Sequence, residues 1–191
     1  VDVFTGMTKS MTGSFYLTGT VRLPATMTMN NRVATNIDLS SYVNVPTGQA
    51  IAIESVDFIH QVTDDFGSNV DSMLTANGAV TTQLTDLNPA LAFVRADNHS
   101  LVASGAINID KANCVVTHSA DFFPDNFGPS SLSEAFLVVN DTLYLTSGAD
   151  SSIAGTTVFG DIFISVRIRC RVVKLSTKDW MAIAIQSTAS E

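Results

Sequence analysis

The 191-residue sequence combines a hydrophobic fraction of 46% with a charged fraction of 15% and a formal net charge of −8. This hydrophobicity is too high for intrinsic disorder, and a chain of this length suits one sizeable core, so we predict a single domain spanning 1–191. The acidic balance excludes general nucleic-acid binding, which needs a basic surface, and we expect no sequence-specific contact with nucleic acid.

Short runs rich in β-branched and aromatic residues, separated by turn-forming clusters, indicate strands along nearly the whole chain. After an extended N-terminal arm at 1–14, we predict strands at Phe15–Leu23, Thr26–Leu39, Ala50–Val62, Ala79–Leu84, Ala90–Arg95, Leu101–Ile109, Cys114–Ser119, Ala135–Val139, Thr142–Thr146 and Thr157–Leu175. Many short strands with almost no helix are typical of a sandwich or barrel. The predicted fold class is all-β, a single jelly-roll β-barrel or sandwich with about eight main strands plus an extra C-terminal hairpin or short helix.

The segment "ISVRIRCRVV", from Ile164 to Val173, gives the clearest strand pattern. Side chains alternate across a strand, so one face is predicted to be buried and the other polar. The apolar face carries Ile162, Ile164, Val166, Ile168, Cys170 and Val172, and the polar face carries Ser165, Arg167, Arg169 and Arg171. Cys170 is therefore expected to be a buried small hydrophobe, and two cysteines, Cys114 and Cys170, define no disulfide framework.

The three arginines of that strand are the most specific polar feature of the sequence, because the chain has only six arginines. One interpretation is a solvated strand face balanced by local aspartates. Another is a subunit contact, since the planar guanidinium of Arg167, Arg169 or Arg171 can bind a carboxylate of a neighbour through two hydrogen bonds. A third is a surface facing anionic lipid headgroups.

The loop from Asp121 to Ser133, "DFFPDNFGPSSLS", carries three aromatic residues among turn formers. Phe122, Phe123 and Phe127 are expected to pack either on the protein's own core or on a neighbouring subunit. Self-packing is the simpler interpretation, and an interface role for these three residues is the hypothesis.

Helix signals are confined to two short segments. "STKDWMAIAIQS" places Asp179 three residues after Ser176, which favours a capped C-terminal helix. A turn at Ser176–Asp179 followed by a strand at Trp180–Gln186 is the alternative. "NVDSMLTANG" is compatible with one short helix.

No signature of catalysis or cofactor binding is present in the sequence. His60, His99 and His118 are isolated, without the spacing of a metal site. We therefore expect no catalytic residues, no metal site, no cofactor and no enzymatic activity.

Taken together, the sequence resembles a viral capsid protein in the run "MTMNNRVATNIDLSSYVNVPTGQAIAIESVDF", the loop "FFPDNFGPSS" and the terminal strand "IFISVRIRCRVV". Within that class it is similar to the small single-jelly-roll major capsid proteins of icosahedral internal-membrane viruses of halophilic archaea and related thermophilic phages. The resemblance implies a virion location, homo-oligomers, contacts with sister capsid proteins and, as one option, contact with an internal viral membrane. The alternatives are another virion component, such as a spike, turret or vertex protein, and an extracellular β-sandwich module that binds carbohydrate or protein.

Overall fold

The computed structural model of the chain describes residues 9–63, 70–124, 134–151 and 161–188. The strands in these ranges are β1 (Lys9–Ser10), β2 (Phe15–Leu23), β3 (Arg32–Asp38), β4 (Gln49–Val62), β5 (Gly78–Thr85), β6 (Leu101–Asp110), β7 (Val115–Phe122), β8 (Phe136–Val138), β9 (Thr142–Ala149) and β10 (Ile162–Lys174). The same ranges contain one α-helix, α1 (Thr177–Thr188), and a single 3-10 turn at Val70–Ser72, in the segment whose sequence is compatible with a short helix. None of the helices in the described ranges is long and apolar enough to cross a membrane.

The strands form two antiparallel sheets whose order is that of a jelly roll. One sheet runs β2-β10-β4-β8, with β1 continuing along the same edge of β10 as β2. The other runs β3-β9-β5-β6-β7. Along the chain the strands pass back and forth between the sheets, which gives the two Greek keys of a jelly roll, with β7 as an additional edge strand. The predicted fold class is confirmed.

Strand β10 lies at the centre of its sheet, between β2 on one side and β4 on the other. Its predicted apolar face is confirmed, since six side chains have exposed fractions of 6% or less: Ile162, Ile164, Val166, Ile168, Cys170 and Val172. They pack in one core with fully buried residues of the opposite sheet, such as Leu84, Leu143 and Leu145. Each such side chain contributes about 1.5–3 kcal/mol when it is fully removed from water.

The alternation in β4 changes phase at Glu54. Ile51 and Ile53 belong to the main core before this point, whereas Val56 and Phe58 belong to it afterwards. The register shows the cause, because Cys170 pairs with Ile53 and Arg169 pairs with Ser55, which leaves Glu54 as an extra residue. Glu54 is a β-bulge, and one inserted residue turns every following side chain to the opposite face.

Helix α1 covers one end of the outer face of the β10-containing sheet. A second buried cluster joins Ala52 of β4, Leu137 of β8 and Val173 of β10 to Ile183 of the helix, with Trp180 packed against it. The predicted cap is confirmed: Asp179 N donates to Ser176 Oγ over 3.2 Å, and Ser176 Oγ donates to Asp179 Oδ2 over 2.7 Å. The alternative C-terminal hairpin is wrong, because the apolar outer residues Val173 and Leu175 are covered by this helix rather than by a paired strand.

Nine of the ten predicted strands correspond in order to β2 through β10, and the strand at Ala90–Arg95 is wrong. That segment turns after Pro89, with positive φ angles of 51° at Ala90 and 63° at Leu91. The side-chain amide of Gln83 takes the place of a neighbouring strand there, because it both donates to Val94 O over 2.9 Å and accepts from Val94 N over 2.8 Å.

Two predicted strands differ from the structure at their starts. The one predicted from Thr26 begins only at Arg32, because turns closed by Met27 N to Pro24 O and Asn31 N to Thr28 O come first. The strand predicted from Thr157 is described from Ile162 onwards, and residues 157–160 lie outside the described ranges. Of the predicted N-terminal arm, 1–8 likewise lie outside them, and the arm stays a prediction.

Candidate functional site

The three arginines of β10 lie on the outer face of the sheet, opposite the apolar core. The side chain of Arg169 is 52% exposed and that of Arg171 is 30% exposed, because Arg171 lies nearer the end of the sheet that α1 covers. We call Arg167, Arg169 and Arg171, together with Tyr16 and Glu54, the arginine surface.

Glu54 supplies the counter-charge within the arginine surface. Its Oε2 lies 3.0 Å from Nε of Arg169, and its Oε1 lies 3.3 Å from Nε of Arg171. Ser14 Oγ donates a hydrogen bond to Glu54 Oε2 over 2.9 Å. The bulge therefore has an electrostatic consequence: it aims one carboxylate at two guanidiniums. Local aspartates were expected to balance the charge of the arginines, whereas in the structure the glutamate Glu54 does so.

Arg167 is arranged differently from the other two arginines. Its guanidinium carbon lies 5.0 Å from the ring centroid of Tyr16, a cation–π distance, and Tyr16 is 55% exposed. Arg167 takes part in none of the three ion pairs found within the described ranges, although Asp57 faces it across the β4–β10 register. The arginine surface is thus net positive on an acidic chain, and stacking on Tyr16 orients the exposed guanidinium of Arg167.

Phe122 and Phe123 lie at a different place, in a cavity of about 410 Å³ beside α1. Phe122 also packs against the main core, as the self-packing interpretation expects, and an interface role for this residue stays a prediction. Phe127 lies outside the described residues. None of the three arginines lines this cavity. The predicted interface residues therefore divide between two surfaces.

The aromatic cavity is bounded on its other sides by polar groups. Asp86, Asp97, Asn98, His99 and Gln186 contribute to its lining together with Phe136, Leu137 and Ile183. The loop before β6 is fixed by Asn98, whose Oδ1 accepts from the backbone N and from the Oγ of Ser100 over 2.9 and 2.8 Å. Aromatic faces next to carboxylate and amide groups match the surface of a ligand that carries hydroxyl groups.

Two histidines predicted to be isolated meet across the sandwich. His60 on β4 and His118 on β7 have ring centroids 5.5 Å apart at an interplanar angle of 71°. His60 is 7% exposed, and both of its ring nitrogens lack a hydrogen-bond partner. Burial, and secondarily the neighbouring His118, lowers the pKa of His60 to about 4. The only sequence signal for the inward position of His60 was its alternation with Phe58 and Val62.

Both cysteines are free thiols. Cys170 is buried as predicted, and burial, with a smaller effect of the Glu54 carboxylate, raises its pKa to about 12. Cys114 is exposed. Within the described ranges no group of three or more His, Cys, Asp or Glu side chains converges as metal ligands do.

No protein-family model and no curated protein sequence matches this chain. Among solved structures, the chain is similar to VP1 of Merkel cell polyomavirus, solved in complex with GD1a oligosaccharide. The similarity has a TM-score of 0.44 and 8% sequence identity, and it covers 88% of this chain and 99% of that chain. The strand order of the two sheets, rather than this likeness, identifies the fold as a jelly roll.

Proposed function

We propose that this chain is a structural virion protein: a jelly-roll capsid subunit that assembles with itself and with sister capsid proteins into an icosahedral shell. The single observation that carries the proposal is the order of the two sheets, β2-β10-β4-β8 against β3-β9-β5-β6-β7. Jelly rolls of this kind serve as viral capsid and lectin domains, among others. The main core between the sheets consists mostly of Leu, Ile, Val and Phe side chains, which supports a scaffold role.

The arginine surface is the contact that we assign to assembly. Arg167 presents a guanidinium held over Tyr16, and a guanidinium binds a carboxylate through two parallel hydrogen bonds. A chain of net charge −8 offers carboxylates over much of the surface of a second copy or a sister protein. Attraction between a local positive patch and an acidic neighbour gives a directional contact, which a repeated shell requires.

An exposed apolar pair on α1 extends this contact. Met181 and Ile185 are one helical turn apart, with exposed fractions of 55% and 62%. They lie on the helix that covers the neighbouring part of the same sheet. A polar, cationic region next to an apolar one is the composition expected of a protein interface rather than of a solvated face.

The test is self-assembly of the purified chain as salt rises. Salt strongly screens the long-range repulsion between copies that each carry a charge of −8, but it screens a close guanidinium–carboxylate pair in a buried contact much less. Multimers and particles are therefore expected to increase with ionic strength. Light scattering measures their mass and electron microscopy their shape. Arg167→Ser is expected to reduce assembly at least tenfold, whereas Arg95→Ser, which removes an exposed loop arginine, leaves it unchanged.

Two outcomes of this assembly experiment would contradict the proposal, one for the capsid role and one for the arginine surface. A chain that stays monomeric at every salt concentration, alone and with the other proteins of its source particle, contradicts the capsid role. A chain that assembles equally well with Arg167→Ser leaves the capsid role standing and removes the arginine surface from it.

A carbohydrate-binding module is the second candidate, and the aromatic cavity is the observation that favours it. Phe122 and Phe123 offer apolar faces for sugar rings, and the Asp97 carboxylate offers hydrogen-bond acceptors for hydroxyls. Under this candidate the chain binds a neutral glycan on an array while remaining monomeric or dimeric. The variant Phe123→Ala is expected to lose glycan binding, whereas the control Phe163→Ala, on the other side of the fold, is expected to keep it. This result distinguishes the carbohydrate-binding candidate from the capsid role.

A further inference from the structure

The two histidines that meet across the sandwich lie at a seam between the sheets. Strand β4 pairs with β8 only at Ile51–Ile53, so its later part, towards Val62, has β10 as its only strand partner within the described ranges. Strand β7 is the last strand of the other sheet and packs against β4 at this point. Side chains rather than backbone hydrogen bonds therefore hold the sheets together here.

His60 is an unusual residue to find at such a seam. It is 7% exposed, yet neither Nδ1 nor Nε2 has a hydrogen-bond partner. A buried polar group without a partner costs about 1–3 kcal/mol, so native proteins satisfy such groups with protein atoms, water or an ion. A seam that served packing alone would be better filled by Leu or Phe.

The position of His118 indicates that the missing partner of the His60 ring is an ion. Its ring centroid lies 5.5 Å from that of His60. Two imidazoles that bind one cation through nitrogens at about 2.0–2.1 Å have ring centroids about 5–6 Å apart.

We propose that His60 and His118 form a binding site for a divalent transition-metal cation that fastens β4 to β7. Imidazole nitrogen suits Zn²⁺, Ni²⁺ and Cu²⁺, whereas Mg²⁺ and Ca²⁺ prefer oxygen ligands. His118 is exposed, so water completes the coordination shell from the open side of the seam. This site is independent of the capsid role, because it concerns the closure of the sandwich and not the arginine surface.

The experiment uses the full chain freed of metal by a chelator and probed with ZnCl₂ alone. We expect one Zn²⁺ per chain by calorimetric titration and a rise in Tm of a few degrees at saturating Zn²⁺, with no response to MgCl₂. Bound Cu²⁺ is expected to show nitrogen ligation in its paramagnetic resonance spectrum. His118→Gln removes an exposed ligand without emptying the core, so this variant is expected to fold and to lose at least tenfold in Zn²⁺ affinity together with the rise in Tm.

The chain provides a matched control, since it contains three histidines. His99→Gln removes the histidine that lies beside Gln186, away from the seam, and is expected to bind Zn²⁺ as the unchanged protein does. Circular dichroism establishes that each variant keeps its strands. The proposal is overturned if the unchanged protein binds no Zn²⁺, if His118→Gln binds it equally well, or if His99→Gln abolishes binding.

Discussion

The carboxylate of Glu54 lies 3.0 Å from the guanidinium Nε of Arg169, and the two residues are held on the same face of the sheet by a β-bulge. Without the bulge, strict alternation after Ile53 would put Val56 and Phe58 on the outer face. One inserted residue therefore both returns the apolar side chains to the core and aims an anion at the arginines. Packing and surface charge are coupled at a single position of β4.

The first prediction concerns this ion pair. Glu54→Gln removes the anion while keeping the shape of the side chain, and Arg169 and Arg171 then repel each other without compensation. We expect the free energy of unfolding to fall by roughly 1–2 kcal/mol, as for a small, partly buried charge network. Urea denaturation measures this change in the free energy of unfolding. The control is Asp57→Asn on the same strand, which is expected to change the free energy of unfolding by less than about 0.5 kcal/mol. Equal effects of the two variants would show that Glu54 is only a surface charge.

The second prediction concerns the two faces of β10. Ile168 is fully buried, and Ile168→Asp places a carboxylate in the apolar core, so a loss of more than about 4 kcal/mol is expected. Arg167→Ser, one residue earlier on the exposed face, is expected to cost less than about 1 kcal/mol, because it removes only the exposed contact with Tyr16. Circular dichroism and thermal unfolding compare the two. A folded Ile168→Asp variant would contradict the assigned register.

The third prediction concerns acid. The hydrogen bond from the Arg22 side chain, followed by the one from Ala25 N, lowers the pKa of Asp161 below its ordinary value of 3.8. A carboxyl group whose pKa is lower in the folded state stabilises the fold above the unfolded-state pKa, and this stabilisation is lost as pH falls through the folded-state pKa. Between pH 5 and pH 3 the unchanged protein should therefore lose more stability than Asp161→Asn. Urea midpoints at the two pH values measure the difference, and parallel losses would contradict the role of Asp161.

The fourth prediction concerns the thiols. Cys114 is exposed, whereas Cys170 is buried and its pKa is raised to about 12, so it holds almost no reactive thiolate at pH 8. A thiol reagent should modify one cysteine per chain in the folded protein and two after unfolding. In Cys114→Ser the folded protein should not react. Rapid modification of Cys170 in that variant would mean that β10 opens readily.

The pattern of β10 could be interpreted from sequence because it is local. Six apolar residues at every second position, from Ile162 to Val172, allow only one face of a strand to be buried, and the structure confirms that face. The capping box at Ser176 was local as well, although sequence left a C-terminal hairpin open as the alternative. The choice between helix and hairpin depended on Val173 and Leu175, whose outward apolar side chains are buried by α1. The local sequence pattern did not specify which element would bury them.

The amino-acid sequence by itself determined the all-β class, the core face of the last strand and the outward direction of its arginines, since these depend on alternation between neighbouring residues. Only the tertiary structure decided which distant groups meet: Glu54 with Arg169, Tyr16 with Arg167, and His60 with His118. The physical reason is that a jelly roll pairs strands far apart in the chain, and pairing register is set by the packing of the whole core. A bulge or an edge strand can therefore move a side chain to a new partner while the surrounding sequence pattern changes very little.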